Sequence, residues 1–236
     1  MSRPWTVTPH GPILKHEDNL WSVAGDVPGL PLVGRRMAIV RLGDRRLLFY
    51  NAIPLDEKTL AEVTAWGKPW AVIIANFAHC IDGVAFRERL GLTVFGPSMD
   101  KKLPGRIKVD HDIPELPVDP AISVEMVAGC KLGEPVLAVH SGPKHERTTL
   151  VFSDALMNIR NKPGFRGFLF KALGLTGNAA RVAAPWKMMF VTDKAALRRQ
   201  YDSWIATKGL VRLMPTHGDI IEEDPVAALT GARTGI

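Results

Sequence analysis

Five short apolar runs along the chain each stop on a polar or metal-capable side chain. The run at 47–50 stops on Asn51, and the run at 71–75 on Asn76, with His79 three residues further on. The run at 135–139 stops on His140, that at 150–153 on Asp154, and that at 210–216 on His217. Apolar runs of this length between turn residues read as strands. Polar groups at the ends of separate strands build a rigid site wherever those ends converge.

The segments between them predict the remaining elements. Residues 20–23 are an early strand, and 25–36, with Pro28, Pro31 and three glycines, read as a loop. Residues 37–42 and 46–50 form a hairpin about Gly43 and Asp44. Asp56 is placed to cap a helix whose Leu60, Val63 and Trp66 share a face, and Gly67 and Pro69 end it. The unbroken apolar stretch 70–75 predicts a strand covered on both faces. Residues 84–90 read as a helix stopped by Gly91, 93–95 as a strand, and 99–120 as an exposed loop rich in Lys, Pro and Asp. Strands at 122–126 and 135–139 flank a turn at 129–133, and 140–147 is a hairpin loop before a strand at 148–152. Asp193 caps a helix over 194–206 with Leu197, Tyr201, Trp204 and Ile205 on one face, and Asp224 with Pro225 opens a closing helix. Strand pairs alternating with helices suit two sheets with helices outside them, and the antiparallel start argues against a plain doubly wound parallel sheet.

The 236 residues are 46% hydrophobic, ample for one core, and neither a linker nor an internal repeat divides them. A single domain over 1–236 is expected. The first eighteen residues lack the apolar segment of a signal peptide, and Cys80 and Cys130 are too few for a disulfide framework. A cytoplasmic location follows as the expectation.

Charge changes the picture in one place. Residues 155–192 contain no Asp or Glu but hold Arg160, Lys162, Arg166, Lys171, Arg181 and Lys187. These six account for the whole formal charge of +6; elsewhere 24 basic residues meet 24 acidic ones. A one-signed patch attracts phosphates, carboxylates, nucleic acid or acidic lipid, and a solvated face without a partner is the alternative. The same stretch mixes aromatics with the basic residues, as a lid, a membrane-touching surface or an insertion packed on the core would. Nucleic acid ranks last among partners, because no recognised binding module is present and the charge is modest. A homo-oligomer is compatible with the sequence, and no apolar run approaches the ~20 residues a membrane-spanning helix needs.

His79, His140, Asp154 and His217 offer the mix of imidazole and carboxylate that zinc, iron or manganese takes in hydrolytic sites, with Asp82 and His145 close enough in sequence to assist. Each has a plainer reading: a strand-end His as a surface residue, Asp154 as a helix cap, His217 and Gly218 as a turn. Cys80, next to His79, is a minor candidate for nucleophile or soft ligand. There is no Gly-x-Ser-x-Gly elbow, P-loop or dinucleotide fingerprint.

In their order along the chain these residues resemble the metallo-β-lactamase fold superfamily of metallohydrolases. That family places an Asp after an early strand, then a His-x-His-x-Asp-His loop, a middle His, a metal-bridging Asp and a late Pro-x-His-Gly. Residues 150–156 resemble the bridging-Asp strand, and Pro215, His217 and Gly218 resemble the late motif. His140 stands where the middle His is expected, with His145 as competitor. The early Asp position falls on Asn51, and the His-x-His pair on Asn76, Phe77 and Ala78, so the motif is degenerate. The resemblance implies an α/β four-layer αββα sandwich of two mixed sheets with helices outside. It implies a hydrolase using metal-activated water on an ester, thioester, lactone or phosphoester, with Asp154 and His217 catalytic. Its single divalent metal, zinc first, iron or manganese otherwise, is held by His79, His140, Asp154 and His217, while Asn51, Asn76, Arg160 and Arg166 meet an anionic small-molecule substrate. The alternative is a metal-free member that binds a small molecule or a protein.

Overall fold

The computed structural model describes residues 4–28, 30–97 and 107–236, without the side chains of 30–32 and 166. The chain falls into two compact units, Met1–Val124 and Glu125–Ile236.

In the N-terminal unit, β1 (Leu14–Glu17), β2 (Leu20–Val27), β3 (Leu30–Arg41) and β4 (Arg46–Tyr50) pair antiparallel in sequence order. Three parallel strands, β5 (Lys68–Ile73), β6 (Thr93–Gly96) and β7 (His111–Asp112), extend the sheet from β4. Parallel neighbours need crossovers, and α1 (Glu57–Trp66) and α2 (Gly83–Leu90) supply them, both packing on β5. Asp56 caps α1, accepting from the Thr59 N–H at 2.9 Å, and Gly91 ends α2 in the left-handed conformation at φ 66°. Leu60 and Val63 bury the inner face of α1 against a core that includes Phe49, Val72 and Phe86. Trp66 stacks on Trp21 with ring centres 3.8 Å apart.

Two expectations need correction here. Residues 25–36 are not a loop: β2 and β3 continue through them, pairing Ala24 with Arg36, Gly25 with Arg35 and Asp26 with Gly34. Their prolines and glycines read as breakers, yet Pro28 lies in the turn, and Gly25 leaves room for the close approach of His10, whose Cβ would stand 3.3 Å from an added side chain. The predicted loop at 99–120 lies partly outside the described residues. Its described part carries β7 and a 3-10 turn over Ile113–Glu115, closed by a capping box between Asp112 and Glu115.

The second sheet has the order β11, β10, β9, β8, built from β8 (Ile122–Met126), β9 (Pro135–Ser141), β10 (Arg147–Phe152) and β11 (Leu210–Pro215). β9 runs antiparallel to β10, and β11 parallel to it. The connection from β10 to β11 holds α3 (Gly164–Ala172), α4 (Ala184–Phe190) and α5 (Lys194–Ile205). The last of these buries Leu197, Tyr201 and Trp204 as its period predicts. α6 (Pro225–Thr234) closes the chain against α5 and β11, capped by Asp224. The segment bearing α3 leaves and rejoins the unit through two bridges, Met157 with Arg181 and Arg160 with Gly177. Both sheets are mixed and both units carry helices, the α/β architecture that alternating strand pairs and helices predict. Among the described residues, no helix is long and apolar enough to cross a membrane.

Candidate functional site

The pairing of β10 with β11 builds the centre of the candidate site. Phe152 is in register with Pro215, and the strands are parallel. Asp154 and His217 each lie two residues beyond that pair, so equal offsets bring their side chains to the same edge. His217 Nε2 stands 3.4 Å from Asp154 Oδ1, and both side chains are nearly buried. Backbone bonds hold the two loops in place: Thr216 N–H donates to the Phe152 carbonyl at 2.8 Å, and Asn158 N–H to the His217 carbonyl at 3.0 Å. Gly218 makes the second contact possible. At φ 98°, it lets Asn158 approach so closely that a Cβ would lie 2.1 Å from the Asn158 carbonyl oxygen.

A second carboxylate fixes the Asp154 loop from behind. Glu134 is fully buried, and its Oε1 accepts from the Asp154 N–H at 2.7 Å and the Ala155 N–H at 2.8 Å. Burial, and then the charge of Asp154, push the Glu134 carboxyl up to about 8, against the lowering effect of those N–H groups. On the other side the buried Tyr201 hydroxyl donates to the Ala155 carbonyl at 2.5 Å. Cys130 is near enough to sense the charges of Glu134 and Asp154; burial, first, and those charges raise its thiol to about 11. Sequence reasoning passed over both residues. Glu134 had one signal, an acidic side chain wedged between Gly133 and Pro135 at a strand start. Cys130 lay in a segment read only as a turn.

The other candidates are placed differently. His140 is not beyond the end of β9 but inside it, paired with Thr148, and its Nδ1 is 3.3 Å from the Thr148 hydroxyl. Because β9 is antiparallel to β10, its C-terminal end lies at the start of β10, roughly 20 Å of strand from Asp154 at ~3.3 Å per residue. His145 sits in the same distant hairpin at φ 55°, its Nδ1 3.1 Å from the His140 carbonyl. Neither joins Asp154 and His217 at that edge. Burial, and then the neighbouring His145, lower the His140 pKa from its usual 6.5.

In the N-terminal unit, Asp82 is committed to a buried ion pair, 2.6 Å from Arg35, with 2% and 7% of the two side chains exposed. That pair accounts for a carboxylate that sequence proximity to His79 offered as a ligand. Asn76 is fully buried and accepts from the Ala78 N–H at 2.9 Å, capping the 3-10 turn Phe77–His79 that presents His79. Asn51 is buried at φ 58°, a left-handed position that Asn tolerates, and its N–H donates to the Ile73 carbonyl. Both asparagines therefore shape backbone at strand ends. Arg160 is paired with Asp219 at 3.3 Å and donates to the Asn178 carbonyl at 2.7 Å. The Arg166 side chain lies outside the described residues.

The chemistry of the pair fits a divalent cation. An imidazole and a carboxylate, nearly buried and held by backbone contacts, are the donor types zinc, iron and manganese accept. Glu134 and Tyr201 supply the kind of outer support that orients such ligands.

No protein-family model matches the chain, and no curated protein matches it by sequence. Solved structures do. The chain superposes on VMB-1 with a TM-score of 0.63 at 14% identity, covering 98% of this chain and 97% of that one. It matches DIM-1 metallo-β-lactamase exposed to ceftazidime with a TM-score of 0.64 at 12% identity, over 98% of each chain. A metallo-β-lactamase from Pontibacter korlensis is similar with a TM-score of 0.60 at 12% identity, over 95% of this chain and 99% of that one. Two mixed sheets with their helices, matched over nearly the whole length of these structures, give the chain the metallo-β-lactamase fold.

Proposed function

We propose that the protein is a hydrolase dependent on one divalent metal, with Asp154 and His217 as ligands. The reading takes residues 1–236 as a single catalytic domain. What supports it is the meeting of Asp154 and His217 at 3.4 Å beyond two parallel strands, in a fold shared with metallo-β-lactamases. A bound divalent cation, zinc before iron or manganese, supplies Lewis-acid polarisation of the scissile group and acidification of water. The protein's own part is positional. Glu134 holds the backbone of Asp154 and Ala155, and the Asn158 bond holds His217, so the two donors are preorganised. The substrate class is a small ester, thioester, lactone or phosphoester. Anionic character follows from the excess of cations over 155–192.

The deciding experiment is elemental analysis of untagged protein, with melting curves before and after chelation and after zinc, iron or manganese is added back. Near-stoichiometric metal, lost in Asp154→Ala and His217→Ala, supports the reading and justifies an ester, lactone and phosphoester screen. A wild-type protein that neither retains nor takes up metal overturns it. The direct Asp154–His217 pair favours a second reading, in which the two groups satisfy each other and the protein binds a small molecule or partner without metal. A melting temperature indifferent to chelator and metal is its signature.

A further inference from the structure

A surface helix of a globular protein turns its apolar stripe inward. α3 does the reverse. Five of its apolar residues, at 165, 168, 169, 172 and 173, form one stripe at the 3.6-residue period, and the sixth, the half-buried Phe170, lies off it. That stripe faces solvent: Phe165 is 79% exposed and Phe168 67%, and Leu169 and Leu173 are also exposed. The inner face is instead marked by Gly167, which is buried so close to the preceding loop that a Cβ would meet the Lys162 carbonyl at 1.9 Å. The helix is seated on Gly167, with Phe170 half-buried and Phe165 and Phe168 outward. α4 adds Met188, 84% exposed, and Met189. Its start lies against the end of α3, where a Cβ on Gly174 would stand 2.8 Å from that of Ala184.

Charge selects the occupant. Lys171 lies on the border of the apolar stripe and Lys162 just ahead of the helix, both exposed, in a stretch of 38 residues without an acidic side chain. Large apolar side chains flanked by lysines, whose stems can lie along an apolar phase while the ammonium groups reach outward, suit an interface between hydrocarbon and anionic headgroups. A second copy fits less well. Two-fold self-pairing sets a patch against itself, and this one would then oppose lysine with lysine. We propose that the exposed face of α3 and α4 docks the protein peripherally on an anionic lipid bilayer, with Phe165 and Phe168 entering the headgroup region. The proposal is independent of the metal reading.

The test is co-sedimentation of the full chain with sucrose-loaded vesicles of phosphatidylcholine, or of phosphatidylcholine mixed equally with phosphatidylglycerol, at low and high salt. The wild type is expected to sediment with the anionic vesicles and to be released by salt. Lys171→Glu should weaken binding roughly 30-fold, since it changes two charges at about fivefold each. The double variant Phe165→Ser and Phe168→Ser should abolish binding while keeping the wild-type circular dichroism spectrum, because both side chains already face solvent. No sedimentation with anionic vesicles, or equal sedimentation of wild type and variants, overturns the proposal. So does concentration-dependent dimerisation abolished by the same double variant, which assigns the face to a second copy.

Discussion

The Arg35–Asp82 pair gives a quantitative test of how the N-terminal unit is held together. Its atoms are 2.6 Å apart and almost wholly withdrawn from water. Arg35 also donates to the carbonyl of Asp26 at 3.1 Å and that of Ala52 at 3.4 Å, so one guanidinium ties the β2–β3 hairpin to the segments after β4 and before α2. Asp82→Ala removes the counter-charge and leaves the guanidinium buried, a change that costs about 3–5 kcal/mol. At ~2–4 °C per kcal/mol for a chain of this size, the melting temperature should fall by about 6–20 °C. Replacing both partners, as in Arg35→Met with Asp82→Leu, should recover part of the loss, since no charge is then stranded. Recovery stays incomplete because the two carbonyls lose their donor, at about 1–3 kcal/mol each where they remain buried. Thermal melts by far-ultraviolet circular dichroism, paired with metal analysis, check this. A melting temperature within ~2 °C of wild type would refute the structural role, since the pair would then be worth less than about 1 kcal/mol. Metal loss from a fully folded Asp82→Ala would return Asp82 to the ligand set.

Other substitutions probe the C-terminal unit. Glu134→Ala orphans the N–H groups of Asp154 and Ala155 and should cost about 1–3 kcal/mol for each in urea melts, with Glu134→Gln losing less because an acceptor remains; equal stability of Ala and Gln variants would remove Glu134 as the clamp. Gly218→Ala meets both the Asn158 carbonyl and a left-handed φ, so a loss above ~1 kcal/mol is expected; wild-type melting would show that Asn158 need not approach. His140 titrates below its usual 6.5 because burial disfavours the charged ring, so the unfolded chain binds the proton first. Stability should be fully present above pH 6.5 and decline as pH falls through the lowered native value. His140→Gln should flatten that decline in denaturant melts, and an unchanged acid slope would assign it to other groups.

Strand and helix placement was legible where one physical cause dominated. The unbroken apolar run of β5, the caps at Asp56, Asp193 and Asp224, and the stop at Gly91 all stand where residue chemistry puts them. The breaker logic failed at 25–36, because backbone pairing with a long partner strand outweighs the local preference of glycine and proline. The strand-end logic for the site holds only for parallel strands. It brought Asp154 and His217 together because β10 and β11 run the same way, and it misplaced His140 because β9 runs the other way. Direction is set by tertiary pairing, and a list of apolar runs does not contain it. The role of Glu134 was hard to read for a related reason: a carboxylate is read as surface until its two backbone donors, twenty and more residues away in sequence, are known.

The paired neck of the segment bearing α3 has a consequence for how such a chain diversifies. With Met157 bridged to Arg181 and Arg160 to Gly177, the outgoing and returning backbones are already side by side before α3 begins. The span between them is an interchangeable cassette. Because closing a longer loop costs only logarithmically more entropy, insertions, deletions or wholesale exchange beyond the neck need not disturb the strands beneath. New surface preferences can thus be tried on the span between the bridges while the Asp154 and His217 loops stay where the sheet puts them.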